Sequence, residues 1–194
     1  MKDKKENVLT PYICYALTEL PPEIREWAKA FYAAVADKCK GVIGVRGFVP
    51  HEHYDPVANA NFTPQQVDCA ERRQVCKCSS VVIVVALAPS WGGGIEVEMA
   101  NQNGVPVIIL CEKDKLEKRL VSRLLRGNPA VREVIAFKNE EDALLQLSNA
   151  LRKLFPEEAA KTLKMEMLMA KRLAGAQELQ SAFDAIRRYG RDGA

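Results

Sequence analysis

The sequence predicts an α/β fold in which a five-stranded parallel sheet carries helices on both faces. Short apolar segments alternate with longer amphipathic segments in a βαβαβαβαβα order. The central segment, VVIVVAL at residues 81–87, is apolar on both faces, as expected of a strand that helices cover on either side. Right-handed crossovers would join these strands into a doubly wound sheet of the Rossmann or flavodoxin type.

The strands are short apolar runs, and the helices have apolar residues at three- and four-residue steps. Strands are predicted at residues 12–17, 42–49, 81–87, 105–110 and 131–137. Helices are predicted at residues 23–40, 64–77, 95–102, 115–125 and 140–154. Gly41 should end the first helix, Thr63 should cap the second and Asn103-Gly104 should close the third. In such a sheet, ligands bind beside the carboxyl ends of the strands.

The chain is expected to form one α/β domain, residues 9–155, and a C-terminal helical extension, residues 156–194. The extension has apolar residues at helical spacing: Met165, Leu168, Met169, Leu173, Ala176 and Leu179. This pattern indicates a helix that packs or dimerises, with a membrane or partner helix as the alternative.

Composition and charge favour a soluble cytoplasmic protein. The 28 Lys and Arg residues exceed the 25 Asp and Glu residues by three, too few for a dedicated binder of polymeric nucleic acid. No apolar run reaches the roughly 20 residues of a membrane span, and the charged N-terminus lacks a signal-peptide core. Six cysteines are expected to stay reduced, and Cys76-x-Cys78 lacks the second pair of a zinc site. We expect no metal and no cofactor.

The segment that follows the central strand is the strongest candidate for chemistry. Pro89-Ser90-Trp91-Gly92-Gly93-Gly94-Ile95-Glu96 should form a glycine-rich turn and the start of a helix, where backbone N–H groups can face an anion. It fits neither the dinucleotide-binding, the phosphate-binding-loop nor the serine-elbow motif. Glu96, in the expected first helical turn, could attack an anomeric carbon or stabilise a cationic sugar. Alternatively, Glu96 only complements the helix dipole.

The pattern Pro89-Ser90-x-Gly92-x-Gly94-x-Glu96-x-x-x-Ala100, directly after VVIVV, resembles the nucleoside 2-deoxyribosyltransferase superfamily. It is most similar to the branch of deoxynucleoside 5′-monophosphate N-hydrolases and cytidylate N-glycosidases. The resemblance extends over residues 9–154 and includes the segments 12–18, 48–56 and 63–67.

The resemblance implies a role for each matching residue. Glu96 would be the nucleophile that forms a glycosyl-enzyme, Tyr12 would hydrogen-bond its carboxylate, and Glu71 would protonate or orient the leaving base. Ser90, with the backbone around Gly92 and Gly94, would hold the 5′-phosphate or 5′-hydroxyl, and Thr18 would contact the sugar phosphate.

Two residues depart from the family pattern. Glu71 stands where the family commonly has Asp, which adds a methylene and alters its reach. Glu98 stands where Gly is common and could crowd the site or raise the pKa of Glu96.

Other polar and aromatic residues leave alternatives open. His51 and His53, at i and i+2 of an extended segment, would face one way and could bind a metal, whereas His51 or Glu52 could instead contact the base or sugar. A third possibility is that Asp55-Pro56 forms a turn that the histidines cap. Trp91 could stack on the base, or be an exposed loop residue or a dimer contact.

The resemblance implies an enzyme that cleaves the N-glycosidic bond of a nucleoside or nucleoside 5′-monophosphate, by hydrolysis or base transfer. The expected partner is that small molecule, in a homodimer or higher homo-oligomer. The alternatives are a non-catalytic nucleotide-binding or sensing module and a phosphoribohydrolase of the cytokinin-activating type, although the Pro-Gly-Gly-x-Gly-Thr motif of the latter is absent.

Overall fold

The computed structural model describes residues 10–55 and 59–189. The fold is α/β, with a parallel sheet in the order β1-β2-β3-β4 and helices on both faces. The strands are β1 (Thr10–Tyr15), β2 (Ser79–Val85), β3 (Val107–Glu112) and β4 (Val131–Phe137). The predicted domain start at residue 9, positions 56–58 of the Asp55-Pro56 turn and residues 190–194 of the extension lie outside the described residues.

Eight helices occupy the described part of the chain. They are α1 (Pro22–Ile43), α2 (His51–Tyr54), α3 (Pro64–Cys78), α4 (Trp91–Gln102), α5 (Lys113–Glu117), α6 (Arg123–Arg126), α7 (Glu140–Leu154) and α8 (Pro156–Tyr189). Thr63 caps α3 with its hydroxyl, and the side chain of Gln66 accepts the Thr63 N–H in return, which confirms the predicted start. Gly104, at φ 68°, follows α4 as expected.

The sheet has four strands, and the predicted strand at residues 42–49 is wrong. Gly41 does not end α1, which continues to Ile43 and ends at Gly44 in the left-handed conformation. Val42 and Ile43 are buried as helical residues. Only Phe48 from this segment pairs with the sheet, through an isolated parallel bridge to Tyr12.

Two further predictions about secondary structure are corrected. The predicted helix at residues 115–125 is two short helices, α5 and α6, separated by residues that include Arg119 at φ 60°. The glycines at 92–94 lie in the first turn of α4, not in a loop before it, because α4 begins at Trp91.

The core lies on both faces of the sheet. One face packs against α1 and α7, and includes Phe31, Tyr32, Ile83 and Leu147. The other packs against α3 and α4, and includes Tyr12, Cys14, Val75 and Val97. The burial of both faces agrees with the apolar character of the central strand.

Candidate functional site

A hydrogen bond joins β1 to α4 at the centre of the second core face. The Tyr12 hydroxyl donates to Oε1 of Glu96 across 2.6 Å. Tyr12 is fully buried and Glu96 is 8% exposed. Glu96 lies in the second turn of α4, so the expected position in the first turn is wrong and the helix dipole acts on it less strongly. Because Tyr12 lies within β1 and is fully buried, its hydroxyl restrains the rotamer of the Glu96 carboxylate.

Burial dominates the electrostatics of this pair. Desolvation raises the pKa of Glu96, whereas the neighbouring Cys14 thiol and the hydrogen bond from Tyr12 act in the opposite direction. Burial and the nearby Glu96 charge raise the pKa of Tyr12 well above its ordinary value. The phenol therefore keeps its proton and acts as a donor to the carboxylate.

Glu71, on α3, has its pKa raised to about 7, first by burial and then by the negative charge of Glu96, with Asp68 contributing less. A carboxyl group that titrates near neutral pH can both give and take a proton. Glu96 and Glu71 therefore interact electrostatically. The Glu96 carboxylate is held by the Tyr12 hydroxyl, and the Glu71 carboxyl is close to its titration point.

Glu71 and Glu96 line the same cavity, of about 460 Å³. Gly92 is part of its wall, and Tyr54 and Phe62 contribute aromatic rings. The two rings meet edge to face with centroids 5.9 Å apart. We call this space the carboxylate cavity. It has apolar and aromatic walls, and Asp68 lines it beside Glu71 and Glu96.

A larger cavity of about 680 Å³ lies at the carboxyl ends of β1 and β2. It contains Ser90, Gly94 and Glu98 from the predicted site, together with Lys115 and Asn128. We call it the strand-end cavity. The first turn of α4 contributes to both cavities, since Gly92 lines the first and Gly93 and Gly94 line the second.

Ser90 is the N-cap of α4. Its hydroxyl accepts the N–H of Gly93 across 3.0 Å, and its carbonyl accepts the N–H of Gly94 across 3.2 Å. A side chain at Gly93 would be crowded, since a Cβ there would lie 3.1 Å from the Cys14 sulfur. At Gly94 a Cβ would meet no atom within 4 Å. Gly93 therefore permits the close packing of α4 on β1.

Glu98 is exposed on α4 and accepts a 3.0 Å hydrogen bond from the Asn128 side chain. The causes that shift the pKa of Glu96 are burial, Cys14 and Tyr12. Glu98 thus lines the strand-end cavity and does not crowd the Tyr12–Glu96 pair.

Four residues predicted for the substrate site line neither cavity. Thr18 is exposed, and its carbonyl accepts a hydrogen bond from Arg25. Trp91 is 86% exposed. Glu52 forms a bidentate ion pair with Arg46, at 2.7 Å for each bond. The fourth residue, His51, belongs to a separate hydrogen-bond pair.

His51 and His53 are in helix α2, not in an extended segment, so the expected common orientation is wrong. The Nδ1 of His51 lies 2.7 Å from the Tyr15 hydroxyl, whereas the ring of His53 stacks on Phe48. Burial lowers the pKa of His51. Within residues 10–55 and 59–189, no three His, Cys, Asp or Glu side chains converge as a metal-binding group.

Several residues at the two cavities were not singled out from the sequence. Cys14 is buried, and its thiol donates to the Gly93 carbonyl across 3.8 Å. Tyr54, Phe62, Lys115 and Asn128 reach the cavities through the tertiary fold. Their only sequence signal was proximity to predicted loops or strand ends.

No helix in the described part of the chain combines the length and apolar composition of a membrane span. No protein-family model matches the sequence, and no curated protein matches it.

Comparison with solved structures finds similar folds. The solution structure of BlsM superposes with a TM-score of 0.57 at 20% identity, over 77% of this chain and 93% of BlsM. A conserved protein from Enterococcus faecalis V583 gives a TM-score of 0.49 at 15% identity, over 74% and 99% of the two chains. The Vibrio vulnificus NanR protein, complexed with ManNAc-6P, gives 0.43 at 12% identity, over 86% and 58%. The similarity to BlsM shows a shared α/β fold.

Proposed function

We propose that this protein cleaves the N-glycosidic bond of a nucleoside or nucleoside 5′-monophosphate. The observation that carries the proposal is the buried Glu96 carboxylate, which accepts a 2.6 Å hydrogen bond from Tyr12 and lines one cavity with Glu71. Glycoside cleavage with retention of configuration needs two carboxyl groups, one as nucleophile and one as proton donor. The resemblance of the Glu96 segment to the nucleoside 2-deoxyribosyltransferase superfamily supports the same chemistry.

In the first step, an oxygen of Glu96 attacks C1′ and forms an ester bond while the bond from C1′ to the base nitrogen breaks. Glu71, protonated near neutral pH, gives its proton to the departing base. Tyr12 orients the Glu96 carboxylate through its hydrogen bond.

In the second step, ionised Glu71 removes a proton from water, whose oxygen attacks C1′ and breaks the ester bond. The products are the free sugar or sugar phosphate and the restored Glu96 carboxylate. A second base in place of water gives transfer.

The two cavities suit the two halves of such a substrate. Tyr54 and Phe62 offer the carboxylate cavity aromatic surfaces for a nucleobase. Ser90 and Gly94 border the strand-end cavity, where the start of α4 favours a 5′-phosphate or a 5′-hydroxyl.

The test is base release from a panel of ribo- and deoxyribonucleosides and their 5′-monophosphates, followed by chromatography with and without a second free base. We expect release by the native protein, loss in Glu96→Gln, and retention in Glu141→Gln, a matched change at an exposed position of α7. Base exchange would indicate transfer.

The same panel separates the alternatives. Ligand binding without turnover, unchanged in Glu96→Gln, would replace the proposal with a binding or sensing module. Release from ribonucleoside monophosphates alone would be expected both of a cytidylate N-glycosidase and of a phosphoribohydrolase. Release that survives Glu96→Gln in full would contradict the assigned nucleophile.

A further inference from the structure

The C-terminal helix α8 begins on the α/β domain and then extends beyond it. Ala159 packs against the core on the α1 side of the sheet. Thr162 is half-buried beside the C-terminal end of α1, with its hydroxyl 3.1 Å from the position of a Cβ built on Gly44. From Leu163 onward, every side chain of α8 whose burial the structure describes is exposed.

The face of α8 that packs on the domain continues past it as an apolar stripe. Met165, Met169, Leu173 and Ala176 follow Thr162 at three- and four-residue steps, and so share one face of the helix. We call these four residues the α8 stripe. Met165 is 56% exposed, and Met169 and Leu173 are each 63% exposed. A contiguous apolar surface of this kind marks an interaction site.

We propose that two copies of this chain associate through the α8 stripe, with their α8 helices parallel. The stripe continues a face that the protein already uses for packing, which favours a helical partner of similar apolar character. A second copy supplies the same stripe, and a twofold axis along the helix pair places each stripe residue opposite its equivalent.

The charges beside the stripe favour the parallel arrangement. Glu166 and Arg172 lie about 60° to either side of Met169 around the helix, and Lys161 lies on the Arg172 side. In a parallel pair, the basic edge of one helix faces the acidic edge of the other. Lys161 then lies near Glu166 of the partner subunit. This offset of five positions is the one at which flanking charges pair between parallel coiled-coil helices. In an antiparallel pair, like edges would meet.

A matched control lies on the same helix. Met167 is 56% exposed, as is Met165, but it lies about 160° around the helix from Met169. Met167→Glu adds the same charge to the same helix without entering the α8 stripe.

The first experiment measures molar mass by light scattering during size-exclusion chromatography of the full chain. We expect the native protein and Met167→Glu at twice the chain mass of 21.6 kDa, and Met165→Glu and Met169→Glu at the chain mass. Circular dichroism spectra should be alike among the variants and each should unfold cooperatively on heating, which shows that each remains folded, while the melting temperature of the dimeric proteins should be the higher. A monomeric native protein, or a loss of the dimer in Met167→Glu equal to that in Met169→Glu, would overturn the proposal.

The second experiment tests orientation by oxidative cross-linking of Met169→Cys and Leu173→Cys, with the native protein as the background control. A parallel pair brings both positions next to their own equivalents, so both variants should form cross-linked dimers. In an antiparallel pair, only the residue nearest the twofold axis lies next to its own equivalent. Cross-linking at one of the two positions alone would therefore refute the parallel arrangement. Binding of a monomer to anionic phospholipid vesicles, lost in Met169→Glu, would assign the stripe to a membrane surface instead.

Discussion

Replacing Glu71 by Gln should change how the stability of the protein depends on pH. Burial raises the pKa of Glu71 from 4.5 to about 7, so the folded state binds this proton more tightly than the unfolded state. The native protein therefore loses stability as pH rises from about 4.5 through 7. Glu71→Gln has no titratable group at this position. Its free energy of unfolding should therefore not fall over this pH interval, whereas that of the native protein should.

The magnitude follows from the size of the pKa change. At 1.36 kcal/mol for each pH unit, a change from 4.5 to about 7 corresponds to about 3 kcal/mol. Glu71 is partly exposed, and solvent screening reduces the contribution to about 1 to 2 kcal/mol. We therefore expect Glu71→Gln to be about 1 to 2 kcal/mol more stable than the native protein at pH 8.5, and equal to it at pH 4.

Urea unfolding at half-unit pH intervals measures this difference directly. Glu141→Gln, at the exposed start of α7, is the control and should follow the native curve. If the difference between Glu71→Gln and the native protein does not vary with pH, the pKa of Glu71 is not raised and its assignment as proton donor fails. In the base-release assay, the native rate should fall above pH 7 because the donor is then ionised.

Two other changes test the packing around Glu96. Tyr12→Phe removes a hydrogen bond to a buried carboxylate, so we expect the pKa of Glu96 to rise further and the protein to lose about 1.5 to 3 kcal/mol at pH 8, measured by urea unfolding; an unchanged stability would contradict the buried bond. Gly93→Ala forces a Cβ to within 3.1 Å of the Cys14 sulfur and should cost about 1 to 3 kcal/mol, whereas Gly94→Ala, with open space, should stabilise α4 by about 0.5 to 1 kcal/mol. Equal melting temperatures for these two variants would refute the packing argument.

The prediction from sequence was correct for those helices and strands in which the local sequence signals and the tertiary packing favour the same structure. Residues 131–137 form a strand and Glu140–Leu154 a helix with the predicted bounds, since Asn139 caps that helix and acidic residues fill its first turn. Residues 42–49 were mistaken for a strand because a short apolar run fits either a strand or a buried helix end. A glycine inside a helix, here Gly41, lowers the stability of the helix by about 1 kcal/mol, and the burial of Val42 and Ile43 offsets that loss.

The candidate site was predictable only in part, because its residues come together through tertiary packing. Glu96 and Tyr12 are 84 residues apart, and only the resemblance to a family paired them before the fold was known. Glycine spacing predicted a turn at residues 92–94, but the Ser90 cap starts α4 before them. The division into two cavities depends on how α3, α4 and α6 pack on the sheet, which residue spacing does not encode.

The bridge at Phe48 has a consequence for the direction in which the chain winds. Phe48 lies on the outer side of β1 and exchanges two backbone hydrogen bonds with it, of 2.7 and 2.9 Å, while β2 pairs with the inner side. The chain thus passes from β1 through α1 to Phe48 on one side of β1, and then through α3 to β2 on the other side. Helices α1 and α3 lie on opposite faces of the sheet. A single bridged residue in the place of an outer strand is therefore enough for the reversal of winding direction that opens a crevice at the ends of β1 and β2.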